Sequence, residues 1–243
     1  MIGLTKKEEK LIVSLQQKKF RKAEGLFFVE GIKMVQEAIS SSFIVRFVVA
    51  SIDYTTEKVT VKNCDERTMQ RISAFKTAPG ILAVVEIPQL QALVNAATTL
   101  VLEKVQDPGN FGTIVRTAEA LGVKQMICSP DCVDHFSPKV VQSTMGSIFR
   151  MNIVVQNLFD FLAELQNTIP IYAAHLNGEN IYQMPIETPC VLIVGNESQG
   201  ISEALAAKVT QRLKIPMVGG AESFNVSIAT AIILSEFSRR QMR

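Results

Sequence analysis

From residue 99 onward the chain carries six short apolar runs, TLVLEKV, QMICS, IVVQ, IPIYAAH, CVLIVG and LKIPM, mostly separated by stretches of helical spacing. Their apolarity is continuous instead of alternating, as a strand covered on both faces requires. The pattern predicts an α/β domain over residues 99–243, a mostly parallel sheet with helices on both faces. Such sheets bind ligands beyond the carboxyl ends of their strands. The polar residues that follow each run are therefore the candidate site.

Residues 1–88 read as a separate, smaller α/β domain. A charged amphipathic helix over 5–17 leads to LFFVEG and the helix IKMVQEAIS. The strand IVRFVVA, a polar helix around DERTMQRISAF and the strand ILAVVEI after the Pro79-Gly80 turn complete it. Residues 89–98, opened by Pro88, read as a linker. Residues 1–90 hold 14 Lys and Arg against 10 Asp and Glu, leaving 11 against 13 for residues 91–243. The positive excess concentrates at Lys18, Lys19, Arg21 and Lys22, a solvated face or, if the partner is a nucleic acid, a phosphate-binding run.

Several function classes are excluded. No stretch approaches the roughly 20 apolar residues of a membrane span. Charges of both signs fill the N-terminus where a secretory signal needs an apolar stretch, so a cytoplasmic protein is expected. Cys64, Cys128, Cys132 and Cys190 are scattered, with no C-x-x-C pair and only two histidines in the chain, so no metal site is expected.

Three strand ends have unusual chemistry. In LEKVQDPGNFGTIVRTAEALGV, Asp107-Pro108-Gly109 break the strand, Asn110 can cap a helix starting at Phe111, and Gly122 ends it. Arg116 either reaches back over the strand end or pairs with Glu119. In CVLIVGNESQGIS a strand runs into Gly195, Asn196, Glu197 and Gly200. No Lys-Ser/Thr follows Gly200, so this is no nucleotide-phosphate loop; the glycines would let a ligand approach the backbone. In IPMVGGAESFNVSIATAIILSE, Ser223, Phe224 and Asn225 introduce the last helix with more polar groups than a cap needs. Together these ends would build a pocket holding one arginine, one carboxylate, two asparagines and a serine, without histidine or cysteine.

The same three stretches, in this order, resemble the three signature motifs of the SpoU (TrmH) family of RNA ribose 2′-O-methyltransferases, over roughly residues 99–238. Residues 20–87 are similar to the ribosomal-protein-like substrate-binding domain of rRNA-modifying members. The resemblance implies a C-terminal trefoil knot, a homodimer, and S-adenosylmethionine bound among the knotted loops. It implies cofactor contacts from Gly195, Asn196, Ile215, Met217 and Phe224. Phe224 stands where leucine is commoner, which implies a tighter adenosine pocket, and Ser198-Gln199 stand where Gly or Lys is frequent. It implies active-site roles for Asn110, Arg116, Glu197, Ser223 and Asn225. The implied substrate is structured RNA, 23S rRNA ahead of tRNA. Arg116 could act as base or as charge clamp, and the arginine pKa above about 12 favours the clamp. A noncatalytic RNA-binding protein and a different small-molecule enzyme are the alternatives from other classes.

Overall fold

The computed structural model describes residues 2–92, 97–165 and 169–242. Elements are numbered along the chain. The chain divides into two compact units, one of residues up to Gln89 plus Asp134–Phe149, the other of Leu90–Val133 and Arg150–Arg243.

The first unit contains β1 (Ile2–Gly3), α1 (Lys6–Ser14), α2 (Lys18–Glu24), β2 (Leu26–Glu30), α3 (Ile32–Ser40), β3 (Val45–Ala50), β4 (Val61–Asn63), α4 (Glu66–Ile72) and β5 (Ile81–Glu86). Its sheet runs β1-β4-β3-β5-β2, with β5 antiparallel to both neighbours. Thr5 and Glu8 form a reciprocal capping box that starts α1. Ile12, Leu15, Phe28, Val49, Met69, Ile72, Leu82 and Val84 make the core. The helix expected over 5–17 stops at Ser14, and the basic run begins a second helix.

Residues 134–149 differ from the expected boundaries, since they group with the first unit although they fall within residues 99–243. The reason is packing. The rings of Phe27 and Phe136 lie 4.6 Å apart and those of Phe43 and Phe149 5.2 Å apart, all in one aromatic cluster. This segment carries α6 (Pro138–Thr144) and a 3₁₀ turn at Ser147–Phe149. Four of the expected linker residues, 93–96, lie outside the described residues.

The second unit holds β6 (Thr98–Leu102), α5 (Pro108–Ala120), β7 (Gln125–Cys128), β8 (Asn152–Val155), α7 (Leu158–Glu164), β9 (Ile171–Asn180), β10 (Cys190–Val194), α8 (Glu203–Ala206), β11 (Gln211–Lys214) and α9 (Val226–Gln241). All six expected strands are present. They form one sheet in the order β11-β9-β10-β6-β7-β8, every pairing parallel. Strands β6 and β10 are buried throughout, as continuous apolarity requires. The chain leaves β6 toward β7 and leaves the adjacent β10 in the opposite direction, toward β11. Ligands of such sheets bind beyond the carboxyl ends of the strands, and here β9, β10 and β11 and the loops that leave them line a cavity.

Candidate active site

The first strand end is organised by Asp107. Its carboxylate accepts from the Asn110 amide N–H at 2.7 Å, with Pro108 at the first helical position of α5. Asn110 is thus not the cap expected from the sequence. Asp107 starts the helix three residues earlier, which leaves the Asn110 side chain free for other bonds. Gly122 ends α5 with φ +85°, a conformation suited to glycine.

The second strand end closes on itself. Asn196 N donates to Gly200 O at 2.9 Å and Gly200 N to Asn196 O at 3.0 Å. A Cβ at Gly195 would lie 2.2 Å from the Gly200 carbonyl, so residue 195 has to be glycine because the chain itself makes the close approach. The backbone of Gly195 also lines the cavity described below. Asn196 Oδ1 accepts from the Ser198 and Gln199 amides at 2.9 and 3.1 Å, and its Nδ2 donates to Lys104 O at 2.8 Å.

The third strand end joins the other two. Asn225 caps α9, its Oδ1 accepting from Ser227 N at 2.9 Å and Ser227 Oγ at 2.7 Å. Its Nδ2 donates to Asn110 Oδ1 at 3.0 Å, and Asn110 Nδ2 donates in turn to Glu197 Oε1 at 3.3 Å. The surplus polarity before the last helix thereby has a use. One asparagine starts the helix and links it to the other two loops.

Beside this line lies a cavity of about 420 Å³. Gly195, Asn196, Glu197, Ile215, Met217, Ser223 and Phe224 line it, with Ile201, Val226, Ala229 and Ile233 behind. Asn110, Arg116 and Asn225 are not among the lining residues. Arg116 is exposed on α5, and no hydrogen bond or ion pair holds it among the described residues. The alternative pairing with Glu119 is not found, because Glu119 accepts from Arg150 Nε at 3.0 Å.

His175 also lines the cavity, against the expectation of a pocket without histidine. In the pairing of β9 with β11, Ala173 faces Arg212 and Glu179 faces the next residue, Leu213, so 174–178 bulge out of the sheet. Gly178 closes the bulge, where a Cβ would lie 2.5 Å from the Leu213 carbonyl carbon. His175 Nδ1 accepts from Asn177 N at 3.0 Å, leaving Nε2 to carry the proton of the neutral ring. Nothing in AAHLNGEN beyond the glycine marks a bulge, so the sequence alone does not reveal it.

Of the basic run, Lys18, Lys19 and Lys22 are exposed. Arg21 is not, with 3% of its surface accessible. Its guanidinium donates to Leu15 O at 2.7 Å and to Asp134 at 3.1 Å through Nε. Arg21 is therefore withdrawn from the phosphate-binding set, being a buried paired charge of the first unit.

Comparison with known proteins adds to the geometry. The SpoU rRNA Methylase family profile matches residues 97–235, and that of the MRM3-like substrate binding domain matches residues 7–83. The 23S rRNA (guanosine(2553)-2'-O)-methyltransferase RlmP of Bacillus subtilis is 33% identical over 227 residues, which span 90% of this chain and 91% of that protein. A TrmH-family structure from Porphyromonas gingivalis superposes with a TM-score of 0.89 at 38% identity, covering 98% of this chain and 99% of the other. The AdoMet-bound rRNA methyltransferase from Sinorhizobium meliloti gives 0.89 at 30% identity, covering 100% and 98%.

Proposed function

The chain belongs to the SpoU rRNA methylase family, and from that premise we propose that it transfers a methyl group from S-adenosylmethionine to a ribose 2′-hydroxyl of 23S rRNA. The observation that carries this reading is the hydrogen-bonded line from Glu197 through Asn110 to Asn225, at the edge of a largely apolar cavity.

The cavity fits this cofactor. Its volume of about 420 Å³ falls in the small-molecule range of roughly 300–1,000 Å³. Ile215, Met217 and Phe224 offer apolar surface for an adenine, and Lys214, Glu197 and Glu203 offer both signs of charge for an amino-acid tail. When bound, S-adenosylmethionine supplies a methyl group already activated on a sulfonium sulfur. Gly195, Asn196, Ile215, Met217 and Phe224 hold it.

The chain's own residues must then align the ribose hydroxyl and favour its loss of a proton. Glu197, Asn110 and Asn225 tie the three loops together, and Ser223 lines the cavity where it can meet the hydroxyl. Arg116, a cation with no ion-pair partner among the described residues, stabilises the developing alkoxide or grips the adjacent phosphate. The exposed Lys18, Lys19 and Lys22 of the first unit bind RNA phosphates, a role supported by the substrate-binding-domain match over 7–83. The family's trefoil knot is inferred with the fold. A homodimer is supported by exposed apolar residues near the site, Phe224 at 40%, Ile228 at 49% and Val218. A ribosomal substrate and four free cysteines support a cytoplasmic location.

The test is methyl transfer from radiolabelled S-adenosylmethionine to 23S rRNA, 16S rRNA and tRNA transcripts, with the modified nucleotide mapped by resistance to alkaline cleavage. A single 2′-O-methyl site in 23S rRNA is expected. Transfer to tRNA alone, or to no RNA, overturns the reading.

A further inference from the structure

Two described residues other than glycine have positive φ. Met145, at +50°, caps the C-terminus of α6, a common place for the left-handed conformation. Lys104, at +55°, lies just past the end of β6, where no helix ends. An L-residue is strained there and glycine is not.

The surroundings hold this corner from several sides. Lys104 N donates to Ser129 Oγ at 2.9 Å, and Lys104 O accepts from Asn196 Nδ2 at 2.8 Å. The residue before, Glu103, donates its N–H to Val194 O at 2.9 Å and accepts from Ser202 N at 2.8 Å through its buried carboxylate. The residue after, Val105, is fully buried, and its carbonyl accepts from Val133 N at 3.0 Å. Every bond that Lys104 makes is a backbone bond that glycine could make without strain. Its side chain is half-exposed, and the ammonium has no hydrogen bond or ion pair among the described residues.

The charges nearby give that ammonium a task. Glu103, Asp107 and Glu197 bring three carboxylates to the same two loops, and the Asn196 amide that grips the Lys104 carbonyl also lies 3.3 Å from Glu197 Oε2. A phosphodiester approaching Glu197 would be repelled by these acids, with Arg116 as the other cation of the loop and its helix. We propose that Lys104 is a substrate-contacting residue, its ammonium meeting a backbone phosphate beside the ribose that is methylated. Strain at the corner is retained because glycine would forfeit this interaction. The inference rests on the reading of the substrate as RNA.

Lys104→Gly and Lys104→Arg in the full chain provide the test. The glycine variant relaxes the corner, so its melting temperature should equal or exceed that of the wild type. On a methyl-accepting RNA fragment its KM should rise about tenfold, as for loss of one charged hydrogen bond. The log–log salt dependence of RNA affinity should flatten by roughly 0.7–0.9. S-adenosylmethionine affinity by calorimetry should be unchanged, and Lys104→Arg should stay within about threefold of the wild-type KM. A glycine variant with wild-type KM and salt slope overturns the proposal. So does one that loses cofactor affinity as much as RNA affinity, since the corner would then act through the backbone alone. A wild-type protein that neither binds nor methylates RNA overturns the functional reading, and this inference with it.

Discussion

Asn225→Asp separates helix capping from site assembly, because one asparagine does both. Its Oδ1 caps α9 through Ser227, and its Nδ2 donates to Asn110 Oδ1 at 3.0 Å. Aspartate keeps the capping oxygen and adds a negative charge at the N-terminus of a 16-residue helix, worth about 0.3–1 kcal/mol in its favour. Thermal stability should therefore hold or rise. The donor, however, becomes an acceptor. Asn110 Oδ1 would then face an anionic oxygen. Rotating the Asn110 amide would satisfy the new carboxylate, but it would turn the amide oxygen toward Glu197 Oε1, now 3.3 Å from Asn110 Nδ2. One end of the line is left with two acceptors in either orientation. Misplacing a hydrogen bond to a charged group costs about 1.5–3 kcal/mol, hence roughly 10–150-fold in turnover. Asn225→Ala should lose turnover and also the cap, about 1 kcal/mol and roughly 2–4 °C of melting temperature for a chain of this size. Single-turnover methylation, read beside thermal melts, distinguishes the two effects. An aspartate variant within about threefold of the wild-type rate would refute the directional network.

Arg116→Lys should lose roughly 10²–10³ in turnover, with cofactor affinity intact and little recovery at alkaline pH, if the guanidinium is a fixed clamp; rate returning as pH approaches the lysine range would identify a base. Converting Lys18, Lys19 and Lys22 to Gln should flatten the salt dependence of RNA affinity by roughly 0.7–0.9 for each phosphate no longer neutralised, and an unchanged slope in a binding titration would return them to a solvated face. Hydrogen bonds from Arg239, and then from Arg240, hold the Glu236 carboxylate down to about 2. Because its folded pKa is the lower one, its contribution to stability is full above about pH 4.5 and fades as pH falls toward 2, so urea melts of Glu236→Gln should have a shallower acid limb over that window.

The strands of the second unit were legible because a covered parallel strand must be apolar along its whole length, which TLVLEKV and CVLIVG display. Their spatial order was not, since order depends on where each crossover returns. In the first unit the short run VKN has no period to read, so β4 is not legible in the sequence. The polar site residues were legible as types at strand ends, but their bonding was not. Asp107 and Asn110 are both good caps, and only the backbone decides which one starts the helix. Nothing in the sequence sets Arg21 apart from its basic neighbours, because its partner, Asp134, lies 113 residues away. A basic run gives no sign that one of its members turns inward. The place of His175 is not legible in the sequence, because the bulge that carries it depends on pairing with β11, which local sequence does not record.

Synthesis runs from the N-terminus, and the first unit draws its last residues from far downstream. When Gln89 has been added, Arg21 still lacks Asp134, and Phe27 and Phe43 still lack Phe136 and Phe149. Roughly sixty more residues must be polymerised before Phe149 exists, roughly 3–12 s at about 5–20 residues per second. Throughout that delay a cationic side chain and part of an aromatic cluster await partners. A nascent-chain arrest series should find protease resistance of the first unit rising after residue 149 has cleared the exit tunnel, and not after residue 89. Swapping the first unit between relatives by cutting after Gln89 would strand that arginine in the same unfinished state, so a stable chimera has to carry residues 134–149 along with its N-terminal half.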